Sequence, residues 1–432
     1  MRLLESGKPD FKLFLQKIRS RRGPVPAAVA DRVRGILREI EESGDEALFR
    51  YTRLFDEFEI TSSNMEVTAD EIRDGLAGLP QDDLEVLKTA AGRIERYHRK
   101  QLIKSRMGAE DGGIRLGYLV RPLERVGVYA PGGLAVYPST VLMSSIPAKV
   151  AGVKEIILCS PAKKGRISPL IIAAAVLGGV SRILKIGGAQ AIAAMAFGTR
   201  SVPGVDKIVG PGNSYVTEAK RQVFGLVGID MIAGPSEIMI IADGISDPAA
   251  AAADLISQAE HDPLACSILI TPDRSFAGRV LECVASQLRD YSSGSPARSS
   301  IAEYGAAFIT ADLAEAVEVA NSLAPEHLEL MVENPDELLE GIRNAGAVFL
   351  GRYSPEAVGD YLAGPSHVLP TAGTARFSSP LGVYDFQKRT SVISFSEEAL
   401  AKFAGKTVRF AELEGLPAHG RSVSIRQKPD KS

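Results

Sequence analysis

Cysteine is scarce in this chain: its 432 residues include only Cys159, Cys266 and Cys283. Three widely spaced cysteines cannot build a disulfide framework or a thiolate metal site. All three lie in apolar surroundings, so reduced, buried thiols are expected. Long apolar runs are also missing. The longest candidate, residues 167–180, is broken by Gly178 and Gly179 and falls short of the ~18 residues needed to span a bilayer. The N-terminus, MRLLESGKPDFKLF, scatters charges and offers no apolar signal core. The formal net charge is -3, so no basic face for nucleic acid is implied. These absences leave a cytoplasmic protein without membrane or nucleic-acid partners as the expectation. Hydrophobic residues at 45% and charged residues at 24% suit a folded chain, and the length allows two to three domains.

Residues 1–25 are charged and weakly periodic, which reads as an arm and not a core. From Pro26 to about Met107 apolar residues recur at helical spacing, as in Val33, Ile36 and Ile40. Within that stretch His98 lies on a charged helix face and is expected to be solvated. Short apolar runs then alternate with helical patterns. Runs at 126–129, 155–158, 183–186 and 207–209 enclose helices near 140–151, 169–177 and 191–197. A second series follows at 238–241, 268–270, 307–309 and 348–350. Strand, helix, strand at this spacing predicts two α/β units with parallel sheets, joined near Gly234-Pro235.

Histidine is rare too: the five are His98, His261, His327, His367 and His419. Four of them stand among other chemically capable residues. Gln258 and His261 are three apart and would share one helix face, before Asp262 and Pro263 end it. Glu326 and His327 sit side by side at an expected strand start, a carboxylate and an imidazole suited to proton transfer. Asp360 and His367 share a glycine-rich segment expected to be a loop. Glu414 and His419 lie close to the chain end, where side chains seldom carry function without a reason. Together Gln258, His261, Asp360 and His419 offer nitrogen and oxygen donors. That set suits zinc or a similar divalent ion better than a thiolate-seeking one.

In their order along the chain, several stretches resemble the histidinol dehydrogenase family over roughly residues 20–427. They include RVGVYAPGGLAVYPSTVLMSSIPAKVAGV, KIVGPGNSYVTEAKR, AGPSEIMIIAD, DLISQAEHDP, APEHLEL, GDYLAGPSHVLPT and EGLPAHGRSVSIR. The resemblance implies two incomplete Rossmann-like parallel-sheet domains with small terminal arms. One domain would span 26–128 plus 236–380 and carry most metal and catalytic residues. The second would span 129–235 and bind NAD. Arms would occupy 1–25 and 381–432. The implied reaction is oxidation of L-histidinol through L-histidinaldehyde to L-histidine with two NAD⁺, the last steps of histidine biosynthesis. By the same resemblance Gln258, His261, Asp360 and His419 hold one zinc ion per subunit. His327 is the base of both oxidations and Glu326 activates water. Ser236, His367 and Glu414 match substrate contacts, and Tyr129, Gln190 and Asn213 match dinucleotide contacts. A homodimer is implied, with the C-terminal arm of each subunit completing the other's site. One departure is Ser366, where relatives often carry asparagine before the histidine.

No G-x-G-x-x-G follows a strand. The nearest pieces are the glycine-bearing turns at 130–133, 187–190 and 210–213, whose backbone N–H groups could face phosphate. Other readings of the same residues are a sister metal-dependent dehydrogenase acting on another polar alcohol, for example a sulfonated diol, a zinc hydrolase using Glu326, and a non-catalytic binding module. A route through a cysteine thiohemiacetal at Cys159 or Cys266 is a further one. It lacks a nearby cation to lower the thiol pKa.

Overall fold

The computed structural model describes residues 1–20, 23, 25–110, 112–132 and 136–427. Gly133, part of the first glycine-bearing turn, lies outside them. In chain order the strands are β1 (Arg2–Glu5), β2 (Arg106–Glu110), β3 (Ile114–Pro122), β4 (Arg125–Tyr129), β5 (Glu155–Cys159), β6 (Arg182–Leu184) and β7 (Lys207–Val209). They continue with β8 (Gly228–Ile229), β9 (Glu237–Ala242), β10 (Cys266–Thr271), β11 (Ala306–Ile309), β12 (His327–Met331), β13 (Ala347–Leu350) and β14 (Gln387–Phe395). Close contacts divide the chain into two units. One holds residues 1–101 and 123–386, the other 102–122 and 387–432.

The first unit contains two sheets, both wholly parallel, as the expected α/β class requires. One has five strands in the order β6-β5-β4-β7-β8, the other six in the order β1-β11-β10-β9-β12-β13. Helices cover both faces of each. In the five-stranded sheet Val126, Val128, Ile156 and Leu158 bury on one side, while Tyr129, Ile157, Cys159 and Ile208 bury on the other. In the six-stranded sheet Met239, Ile241, Ile268 and Leu330 oppose Ile238, Ile240, Leu269 and Met331. Successive side chains in a strand face opposite ways, so a sheet covered twice needs apolar residues at every position. That is why these strands show as unbroken apolar runs in the sequence.

Residues 1–20 contribute more than an arm. Strand β1 pairs in register with β11 at the edge of the six-stranded sheet. Helix Pro9–Ser20 buries Phe11 and Phe14 edge-on against Phe308. His98 is not solvated: it is fully buried, and its Nδ1 bonds the carbonyl of Ile94 at 2.9 Å. Its charged neighbours misled, because helix Gln81–Arg99 turns its Leu87, Ile94 and His98 side inward. Of the cysteines, Cys159 and Cys266 are buried, whereas Cys283 is only half-buried.

The second unit is a three-stranded antiparallel sheet in the order β14-β3-β2, followed by helices Glu397–Leu413 and Pro417–Ser424. Residues 102–122 therefore pair with the C-terminal segment. Among the described residues no helix is long and apolar enough to cross a membrane.

Candidate active site

The five-stranded sheet grows outward in both directions from β4, so its topological switch falls between β4 and β7. A crevice opens at the carboxyl ends of strands at such a point. Here it lies between the loops that follow β4 and β7. The six-stranded sheet meets it from the opposite end. Ser236 precedes β9, Gln258 and His261 precede β10, and His327 opens β12. A cavity of about 370 Å³ results, lined by Pro131 and residues 210–213 on one side and by Ser236, Gln258, His261, Glu326, His327, Asp360 and His367 on the other.

Helix Pro248–Ala259 is capped by the Asp247 side chain and ends before His261. His261 therefore sits in the turn beyond, its N–H on the carbonyl of Gln258, and not on the helix as expected. Asp360, by contrast, is on a helix, Glu356–Tyr361, and not in the loop that the glycine-rich segment suggests. That helix also delivers Glu356, which sequence reasoning missed. The two acids are four apart, a spacing that puts both on one helix face and could have been read. Ligand atoms of His261, Glu356 and Asp360 lie within 4.8 Å of one another.

His327 and Glu326 are both buried. The His327 Nδ1 faces the carbonyl oxygen of Glu237 at 3.2 Å and the side-chain oxygen of Gln258 at 2.8 Å. A carbonyl can only accept, so the ring proton belongs on Nδ1. Nε2 then carries the lone pair. It has no hydrogen-bond partner among the described residues and lies 3.8 Å from Glu356 and 4.0 Å from Asp360. Burial lowers the imidazole pKa to about 4, so the ring is neutral at physiological pH. Glu326 accepts the backbone N–H of Glu237 at 3.0 Å, yet burial still pushes its carboxyl well above the usual range.

Behind these groups lies a nest of buried acids. Glu329 accepts the backbone N–H of Glu356 at 2.7 Å, and Ser257 donates to Glu356 at 3.3 Å. Burial raises the pKa of Asp254, Glu329 and Glu356. Glu356 Oε1 is buried without a partner among the described residues. A carboxylate oxygen left so, within reach of an imidazole and a second carboxylate, fits a divalent cation with oxygen and nitrogen ligands.

His367 is held by the Asp360 carbonyl at 3.1 Å through Nδ1, and its Nε2 is 3.4 Å from the Thr140 hydroxyl. Ser366, the departure, is buried and accepts the N–H of Val368 at 3.1 Å, so it shapes the turn that carries His367. Glu414 and His419 belong to the second unit, at the end of helix Glu397–Leu413 and on helix Pro417–Ser424, and both are exposed.

Of the expected dinucleotide contacts, Asn213 lines the cavity and caps helix Ser214–Val223, accepting the N–H groups of Tyr215 and Val216. Tyr129 and Gln190 do not line it. The Tyr129 hydroxyl accepts the N–H of Gly188 at 3.1 Å, and buried Gln190 reaches Asp56 at 3.5 Å. Asp56 in turn lines a second cavity, of about 1120 Å³, which shares Pro131 with the first. Cys159 does not suit the thiohemiacetal route, because it is buried and burial pushes its thiol up.

The chain matches the family model described as histidinol dehydrogenase over residues 20–427. It is 53% identical to a histidinol dehydrogenase of Syntrophotalea carbinolica over 99% of both chains. It is 51% identical to that of Geobacter metallireducens, over 99% of this chain and 98% of that one. A crystal structure of histidinol dehydrogenase from Elizabethkingia anophelis superposes with a TM-score of 0.92 at 36% identity, covering 99% of this chain and 98% of the other. Agreement of sequence and fold across the whole length leaves one conclusion: the chain belongs to the histidinol dehydrogenase family.

Proposed function

We propose that this protein oxidises L-histidinol through L-histidinaldehyde to L-histidine in two NAD-dependent steps, the last of histidine biosynthesis. The observation that carries the reading is a neutral His327 whose free Nε2 faces the cluster of His261, Glu356 and Asp360. The donors there are nitrogen and oxygen without sulfur, which favours zinc. Gln258, His261 and Asp360 would hold it, together with His419 of the partner subunit, and Glu356 stands beside them. Bound there, zinc supplies a Lewis acid that anchors substrate nitrogens, and NAD⁺ supplies the hydride acceptor.

The chain's own groups move the protons. In the first step the carbinol hydrogen leaves as hydride and the hydroxyl proton passes to His327 Nε2. The Glu237 carbonyl and Gln258 hold the ring by Nδ1 and steady the imidazolium that forms. Glu326 then takes a proton from water as its oxygen adds to the aldehyde, and a proton returns to the carbonyl oxygen to give the hydrate. The Glu237 N–H holds the Glu326 carboxyl in place. In the second step the hydrate carbon loses hydride to a second NAD⁺ and His327 again takes the hydroxyl proton. Ser236 and His367, with Glu414 of the partner subunit, would orient the substrate. Tyr129, Gln190 and Asn213 would hold the dinucleotide on the five-stranded sheet.

We assign a homodimer with exchanged arms. In its support, helices Glu397–Leu413 and Pro417–Ser424 and the residues that end them expose Phe410, Leu413 and Ile425 together with Glu414 and His419. A cytoplasmic place follows from the biosynthetic role. The test is steady-state NADH formation with histidinol, before and after chelation. Activity should vanish on complete metal removal and return with Zn²⁺ or Mn²⁺. Full activity in the metal-free protein would refute the site.

A further inference from the structure

Lys220 and Asp230 form an ion pair whose side chains are only 3% and 1% exposed. Removing two charges from water costs as much as their attraction returns, so such a pair is poorly explained by stability alone. Its hydrogen bonds show another use. One oxygen of Asp230 accepts the backbone N–H of Gly210 at 2.7 Å, and the other accepts the N–H of Met231 at 2.7 Å. The Lys220 ammonium donates to the carbonyl of the same Gly210 at 2.8 Å. Both backbone groups of one glycine are therefore gripped by opposite charges.

Gly210 needs that grip. Its φ of +111° lies where side chains are strained, and a Cβ there would meet the Tyr129 carbonyl oxygen at 2.1 Å. With no side chain to pack, the residue can be fixed only through its main chain. It opens the 210–213 loop that follows β7, at the switch point of the sheet. The loop's other end is Asn213, which caps helix Ser214–Val223. Lys220 lies on that same helix, so loop and helix are tied at both ends. Lys220 and Asp230 border the cavity of about 370 Å³, but the ammonium is buried and engaged at Gly210 and Asp230, so its work is on the loop.

We propose that Lys220 and Asp230 are positioning residues that set the 210–213 loop for the dinucleotide. This rests on the reading of Asn213 as a dinucleotide contact, and the test separates the two. In the full-length protein, Lys220→Met combined with Asp230→Leu removes both charges at similar volume. Loss of the ion pair itself should cost little stability, while melting temperature should fall modestly because the Gly210 and Met231 N–H groups and the Gly210 carbonyl lose their partners. The dissociation constant for NADH, read by fluorescence titration, and KM for NAD⁺ should rise about tenfold or more. The kcat at saturating NAD⁺ and KM for histidinol should change little. Lys220→Arg, which keeps a cationic donor, should restore most of the affinity. If the double variant does not fold, Asp230→Asn, which breaks the ion pair at constant shape, is read for the same split. A folded variant that binds NADH as wild type, while Asn213→Ala binds it weakly, overturns the inference. If Asn213→Ala also binds normally, the dinucleotide reading of the loop falls instead.

Discussion

The side-chain oxygen of Gln258 lies 2.8 Å from Nδ1 of His327, so a residue offered to the metal also holds the base. Gln258→Ala should then damage two properties together. Metal retention against a chelator should fall about 10–100-fold, and kcat should fall even with metal in excess. Both are measured on one preparation. A variant that loses metal affinity but regains full kcat on saturation would break the link.

His327 and Glu326 are neighbours with different partners and different work. His327→Asn should slow both oxidations by about 10²–10⁴-fold. Glu326→Gln should slow oxidation of the aldehyde while leaving the alcohol step nearly intact. Single-turnover assays started from histidinol and from histidinaldehyde measure each step. Equal losses on both steps in the Glu326 variant would contradict the division.

Much of this arrangement could be read from the sequence, for identifiable reasons. Strands β4, β5, β9 and β10 announce themselves because sheets covered on both faces demand unbroken apolar runs. Strand β1 is four residues long with charges at both ends, so it hid in what looked like an arm. The β2–β3 hairpin was missed because it pairs with a partner some 270 residues on, and no local pattern encodes that. Gln258, His261, Glu326, His327 and Asp360 stood out as chemically unusual residues. Glu356 did not, because a helix rich in acids normally faces water. That the six-stranded sheet presents the amino ends of its strands to the cavity depends on how two sheets pack, which no short motif records.

Asp56 gives a dependence on pH. Burial raises its carboxyl from 3.8 to about 6, against a backbone hydrogen bond from Gly187 that lowers it. Between those values the folded protein keeps a proton that the unfolded chain has released. Stability therefore falls as pH rises through the window and stays lower above it. Asp56→Asn should remove the penalty, raising the melting temperature more at about pH 8 than at about pH 5. An equal shift at both would assign the effect to something other than titration.

Arm exchange makes a prediction about mixtures. His261→Asn and His419→Asn proteins should each be inactive as homodimers. Unfolded together and refolded, they should form heterodimers with one intact site, giving about a quarter of wild-type activity. No recovery, with heterodimers present, would place His419 in its own subunit's site, and an active His419→Asn homodimer would place it outside the site altogether.

The most direct measurement is the yield of NADH from a known, limiting amount of histidinol on zinc-loaded enzyme. Two NADH per histidinol, with histidine as the product and none formed after chelation, is the predicted result. One NADH with aldehyde accumulating, or the same yield without metal, would contradict it.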